Sequence, residues 1–258
     1  MGGQFVFLGT GASAGVPLIG CQCAVCQSSL PYNNRLRSAG WLRVGEKSFL
    51  IDVGPDFRQQ ALKHGIERVD GLLLTHTHFD HIAGIDDLRI YSVRQERAVP
   101  CLLSQESYDE LATRYHYFFK KGKNLTAQFS YQVMNDEAGV LGFEGLSVKY
   151  FHYKQGDMKV TGYRIGDFAY LTDIRDYGET IFSFLQGVNC LVLSALREEP
   201  SHLHLSLDEA VAFARKAGAR KTRLTHLSHF LDHEEINQKL PPDVQAGYDG
   251  LTMEFEVL

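Results

Sequence analysis

The stretch LLLTHTHFDHIAGID, residues 72–86, constrains this chain more than any other: three histidines and an aspartate fall within six positions behind an apolar, β-prone run. Residues 71–75 read as a buried strand. His76 and His78 then lie on its exit, and residues two apart in extended chain point to the same side. Asp80 and His81 open a helix that continues into IAGIDDL and brings two more donors to the same place. Neutral imidazole and carboxylate suit zinc or manganese, and such a cluster at a strand-to-helix junction builds an open, catalytic centre rather than a closed structural one. A polar surface loop is the plain alternative, but it has no need of four such donors directly after an apolar strand.

Short β-rich segments alternate with helical ones along the rest of the chain. QFVFLG, WLRVG, KSFLIDVG, GLLLT, LSVKYFHY, VTGYRIG, FAYLTD, CLVLSAL, KTRLTHL and LTMEFEVL all read as strands. The clearest helix spans 206–218, where Leu207, Ala210, Val211, Ala214 and Ala217 recur at helical spacing and Gly218 supplies a stop. His64 before Gly65 marks a second helix end. With 44% apolar residues and no Pro/Gly/Ser linker, the pattern predicts one α/β domain over 1–258, its sheets flanked by helices. Residues 105–145 differ, being dense in aromatic and basic side chains. They read either as a lid or homodimer contact, or as a helix and hairpin on the sheet with Lys120, Lys121 and Lys123 solvated. GTGASAG is spaced G-x-G-x-x-x-G with no Gly-Lys-Ser/Thr behind it, so it reads as a tight turn beneath the metal site, not a phosphate loop.

The 31 acidic and 26 basic residues give a formal charge of −5, so no global attraction to nucleic acid or anionic lipid is expected. No apolar run reaches membrane-spanning length, the first residues do not resemble a signal peptide, and the expected location is cytoplasmic. Three of the five cysteines crowd into CQCAVC, which indicates metal chemistry in a reducing compartment. Cys21, Cys23 and Cys26, with His229, would make a Cys3His structural zinc site that staples an N-terminal loop to a late strand. Cys101 and Cys190 sit in apolar strands and read as small core residues. His152, Asp173 and His226 each end a predicted strand, where sheet-based sites collect ligands for a second cation.

THTHFDHIAG resembles the H-x-H-x-D-H signature of the metallo-β-lactamase superfamily. The resemblance implies a four-layer αββα sandwich and two divalent ions, zinc or manganese. It assigns His76, His78, His152 and Asp173 to one ion, and Asp80, His81, Asp173 and His226 to the other, with Asp52 of LIDVGPD supporting the metal-binding loop from behind. CQCAVC together with HLHLSLDEAVAFARKAGARKTRLTHLSH is similar to the PhnP-type branch, phosphoribosyl cyclic phosphodiesterases and their relatives; RLRSAGWL and YDG also look like it. That likeness marks His204, with His202 as a rival, as an additional active-site histidine, so His204 and Asp80 are the candidate catalytic residues. It implies hydrolysis of small phosphodiesters such as a phosphoribosyl cyclic phosphate or cyclic nucleotides. A nuclease of the tRNA 3′-processing type shares the metal set but needs a long basic arm, which the acidic balance does not supply. Thioester hydrolases of similar motif carry a C-terminal helical region, whereas this chain closes on a strand. A β-lactamase is disfavoured because Asp173 and His81 stand where zinc lactamases commonly place a cysteine, and a non-catalytic binding module fits poorly with so full a ligand set.

Overall fold

The computed structural model describes residues 2–119 and 126–257; Lys120, Lys121 and Lys123 lie outside them. In chain order the elements are β1 (Gly2–Gly9), β2 (Ala39–Val44), β3 (Lys47–Ile51), α1 (Phe57–His64), β4 (Gly71–Leu73), α2 (Phe79–Ile82), α3 (Arg89–Arg94), β5 (Val99–Ser104), α4 (Gln105–Arg114), β6 (Phe129–Met134), β7 (Ala138–Phe143), β8 (Leu146–Gln155), β9 (Met158–Ile165), β10 (Phe168–Leu171), α5 (Ile181–Leu185), β11 (Cys190–Ser194), α6 (Leu207–Ala217), β12 (Lys221–Thr225), α7 (His233–Lys239), β13 (Val244–Ala246) and β14 (Thr252–Glu256).

The strands form two seven-stranded sheets, ordered β14-β1-β2-β3-β4-β5-β6 and β13-β12-β11-β10-β9-β8-β7. In each, one half is antiparallel and the other parallel, with β3 to β6 parallel in the first and β10 to β13 in the second. Three apolar layers result. Phe5, Phe49, Tyr163, Phe168 and Tyr170 pack between the sheets. Leu50, Leu72, Leu74 and Leu103 face α1, α3 and α4 on one outer side, while Leu191, Leu193 and Leu224 face α5, α6 and α7 on the other. This is the expected αββα sandwich. Parallel strands buried on both faces read as unbroken apolar runs such as GLLL and CLVLS, as such sheets require.

Helix α6 follows its sequence signals closely. Ser206 and Glu209 close a reciprocal capping box, Gly218 ends the helix in the left-handed region (φ 71°), and Leu207, Ala210, Ala214 and Ala217 are buried. α1 likewise ends at His64 with Gly65 at φ 61°. The described part of residues 105–145 comprises α4 and strands at the sheet edges. β6 extends the first sheet as the parallel partner of β5, and β7 extends the second as the antiparallel partner of β8. The alternation Phe129, Tyr131, Val133 lays apolar side chains on the outer core, a period-two signal masked in sequence by the basic residues before it. Among the described residues no helix is long and apolar enough to cross a membrane.

Candidate metal centre

The parallel strands of both sheets release their chains at the same end, and the polar residues collect there. β4 delivers His76 and His78, β10 delivers Asp173, and β12 delivers His226. Asp52, Asp173 and His226 all take positive φ (62°, 53° and 59°), which L-residues adopt only under constraint. Each sits one or two residues past its strand, so the reversal of backbone turns its side chain inward instead of letting it follow the strand outward. α2 is a single turn, shorter than IAGIDDL suggested, because its backbone is pressed against the loop after β3. A Cβ on Gly54 would lie 2.0 Å from the Asp80 carbonyl oxygen, and one on Gly84 would lie 2.2 Å from the Gly54 oxygen. Val53 N–H donates to the His81 carbonyl at 2.8 Å, locking the two segments together.

The donors converge on one chamber, and all but the half-buried His78 are buried. His76, His81 and His226 are wholly buried, and Asp173 (1% exposed), Asp80 (5%) and His204 (8%) nearly so. His81 Nε2 lies 3.3 Å from Asp80 Oδ2 and 3.2 Å from Asp173 Oδ2; His226 Nε2 lies 3.4 Å from Asp80 Oδ2 and 3.3 Å from Asp173 Oδ1. His76 Nε2 and His78 Nδ1 are 2.9 Å apart. Donors bound to one cation at about 2.0–2.2 Å in tetrahedral geometry are separated by about 3.4 Å, so the edges at His81 and His226 fit a cation, while the His76–His78 pair stands closer than that. Polar satisfaction makes the same case, since His81 Nε2 and both ring nitrogens of His226 are buried without a hydrogen-bond partner, a costly state for a native core unless something else engages them.

Asp52 lies directly behind His81. Its fully buried carboxylate accepts hydrogen bonds from Thr75 N–H (2.8 Å), the Thr75 hydroxyl (2.7 Å) and His81 Nδ1 (2.7 Å), which fixes the ring and points Nε2 into the chamber. Burial alone would deprive His81 of its proton, but Asp52, Asp80 and Asp173 around it raise its pKa well above the usual imidazole value. Burial likewise acts to raise the carboxyl of Asp173, yet His226 and His81 outweigh it and hold it far below the ordinary range. Asp80 is depressed in the same way, against its burial, by His81 and His226.

Two sequence expectations about histidines resolve differently. His204 stacks on His226 with ring centroids 4.8 Å apart and lies 3.6 Å from Asp173, whereas its rival His202 is exposed. His152 does not join the cluster. It sits mid-strand on β8, its Nδ1 facing the Thr161 hydroxyl at 3.1 Å, and lines a surface depression with Glu137 and Lys159. The strand runs on to Gln155, and Gln155 is the β8 side chain that reaches the site, with Nε2 2.9 Å from Asp173 Oδ1. Sequence reasoning missed it because an amide is a weaker ligand signal than a neighbouring imidazole.

The cysteine loop also closes as anticipated. Sγ of Cys21, Cys23 and Cys26 lie 3.4, 3.5 and 3.6 Å from His229 Nδ1. Ligands at about 2.3 Å (sulfur) and 2.0–2.1 Å (nitrogen) from a tetrahedral zinc stand about 3.6 Å apart. The Cys26 backbone N–H and the His229 ring pull the Cys23 thiol down to about 6, while burial pushes Cys26 up to about 11. RLRSAG and YDG meet beside it. Buried Arg35 donates to the carbonyls of Ser228 (3.0 Å) and Leu231 (2.8 Å), bracketing His229, and Asp249 accepts from Leu36 N–H and the Thr10 hydroxyl, both at 2.7 Å. GTGASAG is the turn expected beneath the site, since Ala12 N–H donates to Leu227 next to His226. Arg114 at the end of α4 donates to the Thr77 carbonyl at 2.9 Å, buttressing the histidine loop.

Comparison with known proteins agrees with this construction. The model of the β-lactamase superfamily domain matches residues 47–227. A protein of Porphyromonas gingivalis named Octanoyltransferase is 35% identical over 259 residues, covering 95% of this chain; the chain spans only half of that protein's length (50%). A probable metallo-hydrolase of Bacillus subtilis, YhfI, is 25% identical over 83% of this chain and 89% of its own. The crystal structure of a diphosphatase from the PhnP family superimposes with a TM-score of 0.92 at 38% identity, over 100% of this chain and 98% of that one. The chain belongs to the metallo-β-lactamase superfamily, and within it to the PhnP type.

Proposed function

We propose that this chain hydrolyses small phosphodiesters, cyclic phosphates among them, at a dinuclear centre of zinc or manganese, with a structural zinc held separately by Cys21, Cys23, Cys26 and His229. The observation that carries the proposal is Asp173. Its carboxylate lies within 4.8 Å of the ring nitrogens of His76 and His81 in one group and of His204 and His226 in another, a position that suits a ligand shared by two cations. Two divalent cations held there would supply positive charge to a phosphoryl group and acidify water at neutral pH.

The chain's own residues do the rest. Asp80, held far below the ordinary carboxylate range against its burial by His81 and His226, suits a cation ligand better than a proton donor. Burial draws His204 down to about 4, with His226 adding to the effect, so near neutrality it is an uncharged imidazole with a ring N–H to offer. Set beside Asp173, it is placed to donate a hydrogen bond to the oxygen leaving phosphorus. The net charge of −5 favours small substrates over long nucleic acid. A second reading, cleavage of a diphosphate linkage, is supported by the full-length similarity to a PhnP-family diphosphatase; both reactions displace an oxygen leaving group from a substituted phosphoryl centre.

A panel of cyclic ribose phosphates, 2′,3′-cyclic nucleotides, diphosphate diesters, short RNA and thioesters tests this. Turnover of the first three, lost in His78→Ala, is the expected result. Turnover confined to thioesters or RNA, or a His78→Ala protein of undiminished activity, would overturn it.

A further inference from the structure

The first cation position was expected to take His76, His78, Asp173 and an imidazole from β8. The structure offers an amide instead. Gln155 is the last residue of β8 and only 6% exposed. Its Nε2 lies 2.9 Å from Asp173 Oδ1 and 3.0 Å from His204 Nε2, and its Oε1 is buried without a hydrogen-bond partner. His152, three residues earlier, points to the opposite side of the strand and is satisfied by Thr161. The structure sets Nε2 toward Asp173 and His204; a half-turn about the last side-chain bond exchanges the two amide ends and would set Oε1 there as a ligand oxygen.

We propose that Gln155 supplies its amide oxygen as the fourth protein ligand of the cation shared by His76, His78 and Asp173, which makes the two cation positions unequal. This rests on the reading above that the chamber holds two cations, one of them between His76, His78 and Asp173. The position formed by Asp80, His81, Asp173 and His226 has two anionic oxygens and two imidazoles. The Gln155 position has two imidazoles, the shared carboxylate and one neutral oxygen. Carbonyl oxygen suits manganese or magnesium better than zinc, and imidazole suits zinc. The Gln155 position is therefore the weaker of the two, the last to fill, and the more selective for manganese over zinc. His152 has no part in it.

The test is direct titration of chelator-treated protein that retains its Cys3His zinc, with Mn2+ followed by electron paramagnetic resonance and Zn2+ by calorimetry. Wild type should show one tight and one weaker chamber site. Gln155→Ala should weaken the second Mn2+ by about 10- to 100-fold, the loss typical when groups supporting a metal are removed. Gln155→His should tighten Zn2+ at that site by at least about tenfold and reverse its metal preference. His152→Ala should leave both sites unchanged. Thermal unfolding and the retained zinc report folding, and Gln155→Glu, which should tighten Mn2+, stands in if the alanine variant does not fold. Wild-type affinities in the Gln155→His variant and in the Ala or Glu variant, or loss of the weaker site in His152→Ala, would overturn the assignment and leave the hydrolase proposal standing. If wild type binds no cation in the chamber, both fall.

Discussion

Asp52→Asn isolates the support beneath the metal loop. Asn tolerates the left-handed region, so the backbone at φ 62° is not the part being perturbed. One oxygen still accepts from Thr75 N–H, and the Thr75 hydroxyl can turn and accept from the new amide. The contact that loses its ion-pair character is with His81, whose Nδ1, 2.7 Å from the carboxylate, would then meet an amide N–H and could accept it only by giving up its own proton. Removing one partner of a buried pair costs about 3–5 kcal/mol. Because Asp80 and Asp173 still face His81 at 3.3 and 3.2 Å, the lower end applies, and the metal-stripped variant should lose about 3 kcal/mol in urea unfolding. The His81 ring is also freed to rotate, so affinity at the position it serves should fall about 10- to 100-fold by calorimetry. A variant within about 1 kcal/mol of wild type, the usual reach of an exposed contact, and with unchanged affinity, would refute the reasoning.

Other outcomes follow from the same geometry. Cys23→Ala should release the structural zinc and lower the thermal midpoint by about 5–10 °C; unchanged zinc content and unfolding would refute the staple. Gly54→Ala, whose Cβ would meet the Asp80 oxygen at 2.0 Å, should cost about 3 kcal/mol in urea unfolding and weaken metal binding, and a neutral effect would contradict the close approach. Burial raises partly exposed Asp249 to about 6, above its unfolded value of about 3.9. Its contribution is thus present at low pH and lost as pH rises through the folded value. The stability gap between wild type and Asp249→Asn should therefore be about 1 kcal/mol larger at pH 5 than at pH 7.5; a gap that stays flat or widens would exclude the raised value.

Most of the sandwich was readable because its parallel strands are buried on both faces and so appear as plain apolar runs, and because α6 carries a cap, a period and a stop. β6 was not read, since an edge strand shows its apolar face only at alternate positions and here follows a basic stretch. β13, at three residues, is too short to announce itself. Local spacing sufficed for His76, His78, Asp80 and His81, and the turn-ending Asp173 and His226 were recoverable because they directly follow strands. His152 failed for a geometric reason: its selection assumed that β8 stops there, whereas the strand continues to Gln155. Three residues of extra strand reverse the face presented and change the donor from imidazole to amide.

The central claim is that His76, His78, Asp80, His81, Asp173 and His226 gather two cations around one carboxylate. Anomalous diffraction from crystals of the metal-saturated protein, backed by elemental analysis, tests it most directly. The account predicts about three divalent ions per chain, two of them flanking Asp173 and one among the cysteines. Signal at the cysteine loop alone, with none beside Asp173 at saturating zinc or manganese, would contradict it.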